Sequence, residues 1–314
     1  MGGGGSDGDG YSDWAVLPCP PRLADVSLAL VGKVGSGKSA TANCILGDDA
    51  FESKDSYRAV TETCQKRSRE FHDGCATRTV NVIDTPGLFD MDSTAEDVQK
   101  EIAKCMDMAK DGFDAMLMVF SAQSRFSCED EKAIESIKLL FGNEVLDHMI
   151  LVFTHGDVVG GESRWKKKLT DSAPAYLQDM VDLFADRVVL FDNNTSDMQQ
   201  REYQLKKLFR AVDFVISRNH GRPFCNQMFT QIKEMHPVSI SNKEIYDDYL
   251  KQISKMVEEK LNSTIARLET QLHEEQKERQ AVENSLREEI HALKDSLKKA
   301  EEEANKSSSK CIIL

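Results

Sequence analysis

One stretch, Gly32-Lys33-Val34-Gly35-Ser36-Gly37-Lys38-Ser39, constrains the fold more than any other. It fits the pattern GxxxxGK[ST], which has chemical meaning where a strand runs through a glycine-rich loop into a helix. Both flanks have that character: the apolar run Val26–Val31 reads as a buried strand, and 38–46 reads as a helix. Glycines let successive backbone N–H groups turn inward around an anion with no Cβ in the way. The loop therefore reads as a phosphate cradle made by Gly32, Lys33, Val34, Gly35, Ser36, Gly37, Lys38, Ser39 and Ala40. Lys38 brings a point charge to the β- and γ-phosphates, the Ser39 hydroxyl suits Mg²⁺, and the helix N-terminus adds its dipole. The bland alternative is a glycine turn with no ligand, and the strand-loop-helix context argues against it.

Further short apolar runs, Val80–Ile83, Ala115–Phe120, Met149–Phe153 and Val188–Phe191, read as strands. They alternate with helical patterns near 94–110, 128–141, 163–184 and 199–219. That alternation predicts an α/β domain over 23–220, a mostly parallel sheet covered by helices on both faces. Residues 1–22, rich in Gly and Pro, read as a flexible tail, and 221–243, opened by Gly221 and Pro223, as a linker. In 244–304, Leu261, Ile265, Leu268 and Leu272, then Val282, Leu286, Ile290, Leu293 and Leu297, form an apolar seam interrupted at 273–281. Such a seam suits a coiled coil, or a single helix packing back on the globular domain. A flexible tail, 305–314, ends the chain.

Three more loops follow predicted strands. Asp84-Thr85-Pro86-Gly87 matches DxxG, in which Asp84 holds Mg²⁺ through a water and the Gly87 N–H meets a γ-phosphate. Thr154-His155-Gly156-Asp157 stands where NKxD is expected after Met149–Phe153. The Asp157 carboxylate can accept from both N1–H and N2–H of guanine, a pairing adenine cannot return. Thr154 and His155 depart from Asn and Lys, which leaves base selectivity resting on Asp157 with His155 beside it. Phe191-Asp192-Asn193, again after a strand, would close over the base through Asn193. GTP or GDP with Mg²⁺ is the ligand set these loops imply.

Together, GKVGSGKSATANCILG, DTPGLFD, the box from Ser124 to Glu131, VFTHGD and FDN resemble the GIMAP-type, or AIG-type, GTPases over about 25–220. The resemblance implies a nucleotide-dependent G-domain homodimer and a switch threonine at Thr61, with Thr63 as the nearby alternative. It also marks the box led by Arg125. Leu88 follows Gly87, so no glutamine stands where one would orient the attacking water, and intrinsic GTP hydrolysis is expected to be slow. Lys38, Thr61 and Arg125 are the catalytic candidates, Arg125 either as a finger acting across a dimer or as a surface arginine pairing with Glu129.

A formal net charge of -13 argues against a phosphate-backbone partner such as DNA or RNA. Eight cysteines show no CxxC pair or zinc spacing, and no basic-then-apolar leader opens the chain, so a reducing, cytoplasmic setting is expected. The final Cys311-Ile312-Ile313-Leu314 fits a C-a-a-X box whose terminal Leu favours geranylgeranylation of Cys311. One prenyl chain holds a membrane reversibly unless dimerisation pairs two, so peripheral attachment to a cytosolic membrane face is expected. Met1-Gly2 with Ser6 also formally fits a myristoylation pattern. Protein effectors, which no motif specifies, complete the expected partners.

Overall fold

The computed structural model describes residues 25–53, 61, 63–73, 76–87, 95–184, 187–237 and 243–308. The chain divides into two compact units, Met1–Glu258 and Glu259–Leu314. In the first, six strands form one sheet: β1 (Val26–Val31), β2 (Gln65–Asp73), β3 (Ala76–Asp84), β4 (Ala115–Ser121), β5 (Met149–Thr154) and β6 (Val188–Leu190). Their order is β2-β3-β1-β4-β5-β6. All neighbours are parallel except β2, which runs antiparallel to β3 from Gln65 opposite Asp84 to Asp73 opposite Ala76. β1 lies between β3 and β4, so the winding reverses beside it. Ligands of open α/β sheets bind at the carboxyl ends of strands at such a switch point, and the loop after β1 is the glycine-rich one.

The helices are α1 (Lys38–Leu46), α2 (Ala95–Met108), α3 (Cys128–Phe141), α4 (Glu162–Ser172), α5 (Ala175–Phe184), α6 (Met198–Arg218), α7 (Gln227–Met235) and α8 (Lys243–Ser308). Strand alternation sorts the core into two faces. Leu28, Leu30, Leu117, Val119 and Val152 meet Ile45 and Leu46 of α1 and Leu208 and Val212 of α6. On the other face, Ala29, Val31 and Met116 meet α2, α3 and Phe229 of α7. Each fully buried Leu, Ile or Phe contributes about 1.5–3 kcal/mol relative to exposure.

Five sequence expectations change. The sheet has a strand that apolar patterning missed, β2, whose 65–70 segment is Gln-Lys-Arg-Ser-Arg-Glu. As an edge strand it keeps charge toward water, which also guards it against pairing with another chain. Phe71 packs inward, edge-on to Phe209 of α6 at 5.6 Å. The expected helix 163–184 is two helices, because Pro174 forces Ala173 into an extended conformation (φ -73, ψ 146) that ends α4.

The stretch read as a linker, 221–243, instead carries α7, with Phe229 1% exposed. Phe113 and Phe224 exchange backbone hydrogen bonds of 3.3 and 2.8 Å, and their rings stack at 5.1 Å. Gly112 makes this approach feasible: at φ +90, a Cβ there would sit 2.5 Å from the Phe224 carbonyl oxygen. The helical extension starts as part of the first unit too. The Tyr246 and Tyr249 hydroxyls donate to the Asp107 carboxylate of α2 at 2.9 and 3.0 Å, and Ile253 and Val257 are fully buried.

In the second unit α8 is continuous through the seam and through residues 305–308, which the sequence placed in a flexible tail. Seam residues from Ile265 to Leu297 are 40% to 69% exposed in the single chain. The tail 1–22 and Cys311 lie outside the described residues. No helix among the described residues is long and apolar enough to cross a membrane.

Candidate nucleotide-binding site

The loop after β1 is shaped by backbone constraints that only glycine satisfies. Gly32 has φ +147, and a Cβ there would lie 2.4 Å from the Val119 carbonyl oxygen of β4. Gly37, at φ 94, precedes the first turn of α1, and a Cβ would press on the Thr154 side chain at 3.0 Å. The Ser36 N–H donates to the Lys33 carbonyl at 3.2 Å and closes the turn. Lys38, 6% exposed, reaches back so that its ammonium donates to the same Lys33 carbonyl at 3.0 Å. That posture holds a cation over the loop, where phosphate oxygens would sit.

The Lys33 side chain turns away from the loop. Its ammonium lies 2.9 Å from the Asp130 carboxylate and 3.1 Å from the Ser127 hydroxyl, both at the start of α3. Only its backbone remains for the cradle. The same Asp130 oxygen accepts from the Ser127 N–H at 2.9 Å and from the Ser127 hydroxyl at 3.0 Å. Ser127 and Asp130 form a capping box at the start of α3, and this cap recruits a cation from the P-loop.

Three oxygen-bearing side chains converge beside Lys38. Ser39 Oγ donates to Asp84 Oδ2 at 2.6 Å and lies 2.9 Å from Thr61 Oγ1, which is 3.5 Å from the same Asp84 oxygen. Asp84 is fully buried, and its second oxygen, Oδ1, has no hydrogen-bond partner among the described residues. Burial pushes the Asp84 carboxyl up, while the Ser39 hydroxyl and the Lys38 charge pull it back down. An orphaned carboxylate oxygen beside two hydroxyls is a hard-oxygen donor set of the kind Mg²⁺ takes. Thr63 stands apart from this group: its hydroxyl meets Glu101 at 3.1 Å and Lys104 at 2.9 Å on α2. The next loop is anchored by the Thr85 hydroxyl, which donates to the Leu30 carbonyl at 2.7 Å, and Gly87 ends the described part of it.

The loop after β5 is tied to the P-loop through the residue that departs from NKxD. The Thr154 hydroxyl, completely buried, donates to the Ser36 carbonyl at 2.7 Å. His155 adopts φ 60 and places Nδ1 2.9 Å from Thr154 Oγ1 and 3.2 Å from Ser121 Oγ. The Gly156 N–H donates to the Phe191 carbonyl at 2.9 Å, which docks the following loop alongside. Asp157 projects exposed at the tip. Asn193 Nδ2 donates to Thr41 Oγ1 at 3.1 Å, so the loop expected to close over the base is fixed against α1. Arg125 is exposed, one residue before Phe126, whose ring lies 5.6 Å from Phe120 of β4. The structure thus gathers the P-loop, Ser39, Thr61, Asp84, Thr154 and Asn193 at one sheet edge. Thr41 and Asp130, which lie inside the quoted motifs but were not among the site candidates, join them.

The chain has relatives among known proteins. Immune-associated nucleotide-binding protein 9 of Arabidopsis thaliana is 37% identical over 92% of this chain and 93% of its own length. Immune-associated nucleotide-binding protein 13 of the same plant is 31% identical over 92% of this chain and 95% of that protein. The match to protein 8 is also 37% identical but spans 66% of this chain and 58% of that protein. Among solved structures, Toc33 from Arabidopsis thaliana in complex with GDP and Mg²⁺ is 21% identical, with a TM-score of 0.49, over 64% of this chain and 87% of that one. The G domain of the T. maritima FeoB iron transporter is 19% identical, with a TM-score of 0.37, over 62% and 99% of the two chains. Residues 26–245, which hold every element of the site, match the model of the AIG1 family, and the chain belongs to that family.

Proposed function

We propose that this protein is a GTP-binding switch with slow intrinsic hydrolysis that pairs through its G domain and is tethered to the cytosolic face of a membrane. The observation that carries the reading is the convergence of the Ser39 and Thr61 hydroxyls on Asp84 Oδ2, which leaves Asp84 Oδ1 without a partner among the described residues. A nucleotide-bound Mg²⁺ would supply charge neutralisation between the phosphates there. Lys38 binds β- and γ-phosphate oxygens, and the backbone N–H groups of 35–40 orient them. Thr61 closes on the metal side, and Asp157 selects guanine. Thr154 makes no base contact in this scheme; it holds the base loop to the P-loop at 2.7 Å.

With Leu88 after Gly87, no side chain in cis takes the water-orienting role, which suits a GTP form that persists. Arg125 is the group we assign to a partner's nucleotide, since it is exposed and free to reach outward. The seam on α8 offers a second contact between copies, and two geranylgeranyl groups on paired Cys311 residues would give firm attachment. A second reading, a GTP-binding scaffold that does not hydrolyse, draws on the same missing glutamine.

GTP and ATP turnover by the purified chain, measured across protein concentrations with Mg²⁺ and then with EDTA, tests both. Mg²⁺-dependent GTP turnover whose specific rate climbs with concentration and falls in Arg125→Ala supports the paired enzyme. Tight GTP retention with no phosphate release moves the answer to the scaffold, and preference for ATP overturns the role of Asp157.

A further inference from the structure

A second opening lies on the α3–α5 side of the sheet, next to the base loop but not part of the phosphate site. It is a cavity of about 650 Å³, inside the range of roughly 300–1,000 Å³ usual for small-molecule sites. Phe120 and Phe153, paired across β4 and β5, form its floor. Trp165, with its ring 5.1 Å from Phe153, and Leu169 supply an apolar wall from α4. The break at Pro174 creates the space, since Ala173 and Pro174 line it where one unbroken helix would have run on.

The lining is not inert. Trp165 is 2% exposed, and its indole N–H has no hydrogen-bond partner among the described residues. A buried donor left unmet costs about 1–3 kcal/mol, and indole offers nothing but a donor, so what would satisfy it is an acceptor. The charges point to the same chemistry. Arg125 and Lys168, both exposed, line the cavity. Asp130, the acidic residue among the described lining residues, is already engaged by Lys33 at 2.9 Å. Apolar walls, one orphaned donor and two cations at the rim are complementary to an acceptor-bearing anion on an apolar body.

We propose that this cavity binds a single-chain anionic amphiphile of the fatty-acid class. Its carboxylate pairs with Arg125 and Lys168 at the rim, and its chain lies along the apolar wall that includes Leu169 and covers Trp165. The inference does not rest on GTP binding or turnover.

The chain has two tryptophans, Trp14 and Trp165, so a full-length Trp14→Phe background makes Trp165 the sole reporter. Sodium dodecanoate, added below its micelle concentration, should change Trp165 emission in a saturable, one-site manner. Dodecanol and dodecyltrimethylammonium should bind at least tenfold more weakly. Ala173→Phe, which fills the cavity from the α4–α5 joint, should abolish the response. Lys168→Glu, at an exposed position that leaves folding intact, should weaken dodecanoate fivefold or more and leave dodecanol unchanged. Equal affinity for dodecanoate and dodecanol would overturn the anionic class. No emission change, or a response indifferent to both Ala173→Phe and Lys168→Glu, would place the ligand elsewhere and overturn the site. An emission change driven by protein concentration alone would show a second copy covering the cavity and would equally overturn it.

Discussion

The Lys33 ammonium and the Asp130 carboxylate meet at 2.9 Å, joining the P-loop to the first turn of α3 across 97 residues of sequence. Asp130 is nearly buried, and its oxygen also serves both polar groups of Ser127. The box that precedes α3 is therefore mechanically attached to the phosphate loop. Removing the cation leaves a buried carboxylate short of one partner, so Lys33→Ala should cost about 2 kcal/mol of stability. Urea unfolding of Lys33→Ala, Asp130→Asn and the double variant would show it, with the double variant losing less than the sum.

The Asp84 carboxyl is pushed up by burial, so the folded chain holds that proton more tightly than the unfolded one. For such a group the contribution to stability is full below the unfolded value and is lost as pH rises through the folded one. Without metal, the ionised form of Asp84 opposes folding, since burial favours the protonated carboxyl. Asp84→Asn should stabilise the metal-free chain by about 1 kcal/mol while erasing the rise in melting temperature on adding Mg²⁺ with nucleotide. Calorimetry with and without Mg²⁺ reads both effects, and a variant that still responds to Mg²⁺ would remove Asp84 from the metal site.

Base selection should separate from phosphate binding at two neighbouring positions. Asp157→Ala removes the carboxylate at the exposed tip and should weaken GTP by about 2–3 kcal/mol, the usual worth of charge-assisted bonds. Thr154→Val keeps the shape and removes the hydroxyl that donates to Ser36, so it should loosen GTP and ATP alike. Equilibrium binding of both nucleotides to each variant distinguishes selection from positioning.

Burial pushes the His148 imidazole below its ordinary value, with its Nδ1 at 3.1 Å from the Asp114 carbonyl and its ring against Phe224 at 5.5 Å. A base with a depressed folded value is protonated more readily in the unfolded chain. Its contribution is therefore full above about pH 6.5 and is lost as pH falls through the lower folded value. Denaturant midpoints between pH 7.5 and 5.5 should drop in the native chain, and His148→Gln should start about 1 kcal/mol lower but decline less over that range.

The start of α8 should behave as part of the G domain. Tyr249→Phe, which leaves the Asp107 carboxylate one bond short in a buried setting, should cost about 1–2 kcal/mol. Hydrogen exchange should then quicken in α2 as well as in residues 243–258, a coupling that a passive linker would not transmit.

Much of this protein was written locally. The phosphate loop is legible because glycine at 32 and 37 answers a backbone constraint, and the strands β1, β4 and β5 because residues buried on both faces leave unbroken apolar runs. The ends of those strands then fix where Asp84 and Thr154 stand. What lay beyond local pattern was pairing across long separations. β2 carries charge outward as an edge strand and so has no apolar signature, and α7 is too short and too mixed to outvote the Gly and Pro around it. Thr61 and Thr63 are equivalent as residues; only the chain path that brings one to Ser39 and the other to Glu101 separates them. Nothing local tells where the Lys33 ammonium goes; the folded sheet brings Asp130 of α3 within 2.9 Å of it. Sequence determined the type of each element because periodicity and backbone sterics act over a few residues. Tertiary structure decided the partners, because a buried charge or hydroxyl takes whichever complementary group the fold delivers.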